Sequence, residues 1–247
     1  MNIYSFFVAT VVIAVVCLSA NATNYSGNGN TGFGGAIGGG SLALTDDGTT
    51  LSGTITKGSG NFNDVLVLYI DSVAGGFSDT SGFADGNDGL RRAVSGFDGG
   101  GNRSLMTFVS GFSPDYAIAL GPSSDSFGGL FQLVNGGGGS LNYINSANLS
   151  PVGDNASATY SFSISLADIG LTPGAGQGFG LFGTYTSNGG YRSDEALPGN
   201  DSGTQGWNPF TQSSYATYTT TAVPEPSIGA IAGLSGLAAW FLNRRRR

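Results

Sequence analysis

Residues able to do chemistry in this chain are few and nearly of one kind. There is no histidine and a single cysteine, Cys17, so a Ser-His-Asp, Cys-His or His-bearing zinc site cannot be built from it. Carboxylates and aromatic rings remain. Asp79, Asp85, Asn87, Asp88 and Asp98 fall in a Gly-rich stretch, and oxygen ligands separated by glycine suit Ca2+, which takes about six to eight oxygens in flexible geometry. The run Asp85-Gly86-Asn87-Asp88-Gly89 departs from the EF-hand pattern, because Gly89 stands at its fifth position. The competing expectation is a set of solvated turns, since Asp readily hydrogen-bonds its own backbone. Arg91 and Arg92 follow directly and offer those carboxylates a cationic partner instead.

Asp194-Glu195 is the only adjacent Asp-Glu pair between Thr23 and Ala222. It is the one pointer to a carboxylate glycosidase, which needs two acids about 5 to 9.5 Å apart. Gly206-Trp207-Asn208-Pro209-Phe210 holds a Trp among polar neighbours, with Tyr191 close in sequence. A flat ring so placed suits the apolar face of a pyranose, and Trp207 and Tyr191 are therefore the candidate ligand-binding pair. A buried aromatic plug is the alternative, because large rings usually fill cores.

These residues need a scaffold, and composition narrows its kind. Glycine supplies 44 of 247 residues and 10% are charged, against the usual ~25%. Sixteen Phe and ten Tyr, spread over short apolar segments, supply a core that a disordered Gly/Ser chain lacks. Thr23 to Ala222 carries 15 acidic and 5 basic side chains, a net charge of −10; nucleic acid and anionic lipid, which require cationic patches, are not expected as partners of this part.

Thr23 to Gly40 is Gly/Asn-rich and reads as an irregular lead-in, with ordered structure expected from Ser41. Ser41 to Thr45 and Thr50 to Thr56 alternate around Asp46-Asp47-Gly48, a hairpin signal. Val65 to Ile70 is an unbroken apolar run, expected of a central strand buried on both faces. A polar loop from Ser72 to about Gly89 follows. Further short strands are predicted at Ser104 to Val109, Tyr116 to Leu120, Leu130 to Val134, Leu141 to Ile144, Ala158 to Leu166, Gly178 to Thr186 and Ser214 to Thr221, with a single helical turn at Ala167 to Leu171. No repeat of fixed period is visible. The expectation is an all-β fold: one antiparallel β-sandwich or jelly roll over residues 41–222.

Both ends read as addresses. Met1 to Ala22 has an apolar stretch and ends in Ala20-Asn21-Ala22, a signal-peptidase pattern with Ala20 and Ala22 at the small positions, although no Lys or Arg precedes the apolar part. An uncleaved N-terminal anchor is the alternative. Cys17 lies inside the apolar stretch and reads as a small hydrophobe. At the other end, Val223-Pro224-Glu225-Pro226 precedes an apolar run from Ile228 to Leu242 and then Arg244, Arg245, Arg246 and Arg247. As a helix the run spans about 22 Å, short of a hydrocarbon core of about 30 Å, so crossing requires snorkelling ends or a thinned bilayer. Terminal arginines hold that end in the cytoplasm.

This arrangement resembles the PEP-CTERM sorting signal of bacterial envelope proteins, in which a Val-Pro-Glu-Pro motif, one short transmembrane helix and an Arg-rich end occur in that order. The resemblance covers residues 223–247. It implies export, retention as an inner-membrane-anchored precursor, and processing by an exosortase that releases the ectodomain or passes it to the cell surface; a simple C-terminal tail anchor is the alternative. The ectodomain is loosely similar to DOMON-type carbohydrate-binding sandwiches in Val65 to Ile70 and Asp115 to Leu120, a likeness from which no ligand residue carries over. The expected function is a non-enzymatic cell-surface or extracellular-matrix protein. The alternatives are an exopolysaccharide-binding module and a glycosidase.

Overall fold

The computed structural model describes residues 22–198 and 203–223. The Pro224-Glu225-Pro226 motif, the apolar run from Ile228 to Leu242, Arg244 to Arg247, and the proposed signal peptide up to Asn21 lie outside them. Among the described residues no helix is long and apolar enough to cross a membrane.

Thirteen strands and one short helix make up the described chain: β1 (Thr23–Ser26), β2 (Ser41–Asp46), β3 (Thr50–Thr56), β4 (Val65–Asp71), α1 (Gly89–Ser95), β5 (Met106–Thr107), β6 (Tyr116–Gly121), β7 (Phe127–Gln132), β8 (Asn142–Ser146), β9 (Thr159–Ser165), β10 (Gly178–Thr186), β11 (Arg192–Ala196), β12 (Phe210–Thr211) and β13 (Ala216–Thr219). A single 3-10 turn at Ala167–Ile169 follows β9, where one helical turn was expected. One sheet runs β1-β2-β3-β9 and the other β11-β10-β4-β6-β7-β8, with β13 added to β10; every pairing in these two sheets is antiparallel. The two-residue β5 and β12 pair in parallel.

The run Val65 to Ile70 does what its composition demands. As β4 it lies between β10 and β6, and period-two alternation sends its side chains to opposite faces. Leu66, Leu68 and Ile70 join a core between the two sheets, where Leu42, Leu44, Leu51, Ile55, Tyr160, Phe162 and Ile164 of the four-stranded sheet meet them. Val65, Val67 and Tyr69 enter a second core, closed by Leu90, Ala93 and Val94 of α1 together with Phe83, Met106, Phe108 and Phe112. The larger sheet is thus covered on both faces, by a second sheet and by a layer of helix and loops.

Local signals account for the turns. Asp47 accepts N–H bonds from Thr49 and Thr50, and Gly48 takes φ +85°, a left-handed conformation that glycine adopts without steric cost. The neighbouring Asp46 is buried; it accepts from the N–H of Gly48 at 2.8 Å, the Tyr218 hydroxyl at 2.7 Å and the Thr221 N–H at 2.8 Å, fastening the end of β13 to the first hairpin. α1 is capped by Asp88, which accepts the Arg91 N–H at 2.9 Å, and ends at Gly96 in the left-handed region.

Several sequence expectations are corrected. The expected irregular lead-in contains β1, which pairs with β2, and its Ala36 and Ile37 are fully buried. The polar loop from Ser72 contributes the buried Phe83 and leads into α1, a helix too short to show a 3.6-residue period. β7 starts at Phe127 rather than Leu130, and β11 and β12 had no alternating pattern to announce them.

Candidate functional site

The five proposed calcium ligands do not converge. Asp85 is fully buried: its Oδ1 accepts the N–H groups of Gly139 at 2.7 Å and Asn87 at 3.1 Å, and its Oδ2 accepts that of Leu141 at 2.9 Å and faces Arg91 Nε at 3.3 Å. Asp88 is spent on the α1 cap and on the Arg91 guanidinium. Asp79 closes a turn on Ser81, whose N–H donates at 2.8 Å. Asp98 accepts the N–H groups of Gly100, Gly101 and Asn102 together with the Asn102 side-chain amide. These hydrogen bonds hold the Asp79 and Asp98 carboxyls below their usual range, the side-chain bond from Ser81 leading for Asp79 and the Gly100 N–H for Asp98. Among the described residues no three acidic side chains gather as a metal would require. Each carboxylate serves its own backbone or Arg91, and Asn87 contributes an N–H to Asp85 rather than an oxygen to an ion.

Glu195 is likewise a structural group. Its buried carboxylate accepts four backbone N–H groups, from Phe33 at 2.6 Å and Gly35 at 3.1 Å on Oε1, and from Ile37 at 2.9 Å and Gly38 at 3.0 Å on Oε2. Asp194 Oδ1 takes the Gly32 N–H at 2.9 Å, and the Asp194 carbonyl accepts from the side chains of Asn28 and Asn30. The Gly/Asn-rich segment is therefore wrapped round β11, and both Glu195 oxygens are taken up by that wrapping. A closely spaced run of N–H groups forms a concavity for negative charge; here the chain supplies its own anion.

Tyr191 and Trp207 do come together, with ring centroids 5.4 Å apart and planes at 83°. Tyr191 also stacks on Phe33, at 6.1 Å and 11°, and Phe33 meets the buried Tyr185 edge-on at 5.5 Å. All three outer rings are half-buried. They form a chain of aromatic contacts leading inward to the core, with Tyr191 occupied by its neighbours. Beside them Arg192, only 2% exposed, lies 4.4 Å over the Phe210 ring and donates from Nη2 to the Thr204 carbonyl at 3.0 Å. Its Nε has no hydrogen-bond partner among the described residues. The adjoining cavity, of about 10 Å3, accommodates at most a single water.

A feature that the sequence did not announce lies at the opposite end of β10. A groove of about 480 Å3 runs across Asp71 at the end of β4, Gly178 and Gly180 of β10, and Thr217 and Thr219 of β13, with Tyr215 as one wall. Register aligns Thr217, Gly180 and Asp71 across three adjacent strands, with Thr219 opposite Gly178.

Compared with family models, with curated proteins and with solved structures, the chain matches none. Fold and sites together define an all-β domain with antiparallel sheets whose best-buried acids are structural.

Proposed function

We propose that this chain is an exported, non-enzymatic cell-surface or extracellular-matrix protein, held at the inner membrane by residues 228–242 until an exosortase acts at Val223-Pro224-Glu225-Pro226. The observation that carries this reading is the ordered coincidence of motif, apolar run and four terminal arginines, which resembles the PEP-CTERM signal. In this reading residues 1–22 are the signal peptide and the β-rich domain is a single sandwich. Two features of the described chain are compatible with it. Val223, the first residue of the motif, is 43% exposed. Its N–H donates to the Gly174 carbonyl at 2.9 Å, and Ala222 bridges Ala175, so the domain has a secured end immediately before the motif. The acids that suggested glycosidase chemistry, Asp194 and Glu195, are engaged by the 32–38 segment, which favours the non-enzymatic reading.

The test compares wild type with the Pro224→Ala/Glu225→Ala/Pro226→Ala variant, each carrying a C-terminal tag, in a host that has an exosortase. Wild type should lose the tag on immunoblots while the variant keeps it. Equal retention in the two would overturn the proposal.

A further inference from the structure

We infer that the groove along Tyr215 binds a neutral polysaccharide. The inference is independent of tail processing and assigns the ectodomain a ligand through residues other than Trp207 and Tyr191.

The wall is a rigid aromatic platform. Tyr215 is 39% exposed, yet its ring is stacked on the buried Phe112 with centroids 5.1 Å apart and planes at 24°. One face is thereby fixed against the protein, which removes much of the entropy cost of ordering the ring on binding. Aromatic faces pack on apolar C–H surface, and a pyranose has one such face with hydroxyls round its rim.

The floor is built to admit a flat ring. β10 carries glycine at 178 and 180 on its outer face, while Phe179 and Leu181 point into the core between the sheets. A Cβ at Gly180 would come within 3.0 Å of Phe112 and 3.2 Å of Tyr215, so this glycine lets both rings lie down on the sheet. A Cβ at Gly178 would meet nothing closer than 3.6 Å, so glycine there leaves the trough open for a ligand.

The polar groups match hydroxyls. Thr217 and Thr219 are exposed on the glycine face, and each hydroxyl both donates and accepts. The Asp71 carboxylate accepts the Ser113 N–H on Oδ2 at 2.9 Å, and its Oδ1 takes no hydrogen bond from the described residues. It is therefore available to a sugar hydroxyl. Among the described residues, Asp71 is the only charged group lining the groove. With a net charge of −10 over Thr23 to Ala222, the surrounding field disfavours uronate or sulfated chains. The volume lies within the range of small-ligand sites, and its open form suits a chain passing through.

The test uses the full chain purified in detergent, with affinity electrophoresis and calorimetry against a panel of neutral glucans, mannans, galactans and xylans, one polyuronate and one cationic glucosamine polymer. Binding to at least one neutral glycan is expected. Tyr215→Ala should weaken it about tenfold or more, and Tyr215→Phe should stay within about threefold, because the ring face and not the hydroxyl makes the contact. Gly178→Leu, which fills the trough and leaves Tyr215 in place, should weaken binding as Tyr215→Ala does. It also provides the readout if Tyr215→Ala fails to fold, with melting curves confirming the integrity of each variant. No binding across the panel, retention of only the acidic or only the cationic polymer, or neutral-glycan binding that survives Gly178→Leu would overturn the inference. None of these outcomes bears on tail cleavage, so failure here and failure of the sorting proposal are distinguishable.

Discussion

Three buried carboxylates, Asp46, Asp85 and Glu195, do structural work through the same chemistry: each gathers backbone N–H groups from segments far apart in sequence. A hydrogen bond to an ionised acceptor contributes more than a neutral one, and leaving its buried donors unpaired costs still more. Glu195→Gln keeps the shape but turns an NH2 group toward one pair of N–H donors. It is expected to lower unfolding free energy by about 2–4 kcal/mol in urea titrations. Asp194→Asn retains an acceptor for Gly32 at a half-buried site and should cost less than about 1 kcal/mol in the same measurement. Similar losses for the two variants would remove the special role given to the 33–38 segment.

The element most dependent on such contacts is α1. At seven residues it is too short to be stable alone; it persists because Leu90, Ala93 and Val94 cover the outer face of the larger sheet and because Tyr69 donates to the Val94 carbonyl at 2.6 Å. Asp88→Ala removes the cap and one partner of Arg91, and should destabilise by about 1 kcal/mol. Asp85→Ala strands the buried N–H of Leu141 and removes a partner of Arg91, and should cost about 3 kcal/mol. Because the loop acids are already bound to backbone and Arg91, melting curves in EDTA and in calcium at equal ionic strength should coincide. A rise in melting temperature with calcium that Asp85→Asn abolishes would restore the metal reading.

Across the whole domain the pH response combines two opposed groups of acids. Asp47, Asp79 and Asp98 have carboxyls lowered from 3.8 by turn hydrogen bonds. Their stabilising contribution is complete above that value and is lost as pH falls below it. Asp64 and Asp115 are raised, first by burial and then by the charge of Glu195 for Asp64 and of Asp71 for Asp115, against which the N–H groups of Val73 and Ser72 lower Asp115. A raised acid costs stability while ionised and regains it on protonation, above 3.8. Stability should therefore rise modestly on mild acidification from neutrality and then fall below 3.8. Differential scanning calorimetry across this range checks the shape, and Asp64→Asn should flatten the rising limb. A monotonic decline from neutral pH would contradict the assignment.

How much was legible beforehand differs from one segment to another. Val65 to Ile70, Thr50 to Thr56 and Thr159 to Ser165 declared themselves because apolar continuity or strict alternation is a local property, and the Asp46-Asp47-Gly48 turn because positive φ selects glycine locally. The all-β class was likewise written in residue order and type. What residue order could not reveal depends on partners distant in the chain. Ala36 and Ile37 look like loop residues until Glu195, more than 150 residues away, collects the surrounding amides. Asp85 looks like a calcium ligand until Gly139 and Leu141 arrive to occupy it. Tyr215 becomes a platform only because β13 pairs with the glycine end of β10 and brings its ring onto Phe112. Side-chain type sets which bonds are possible, and long-range strand pairing decides which groups remain free to make them.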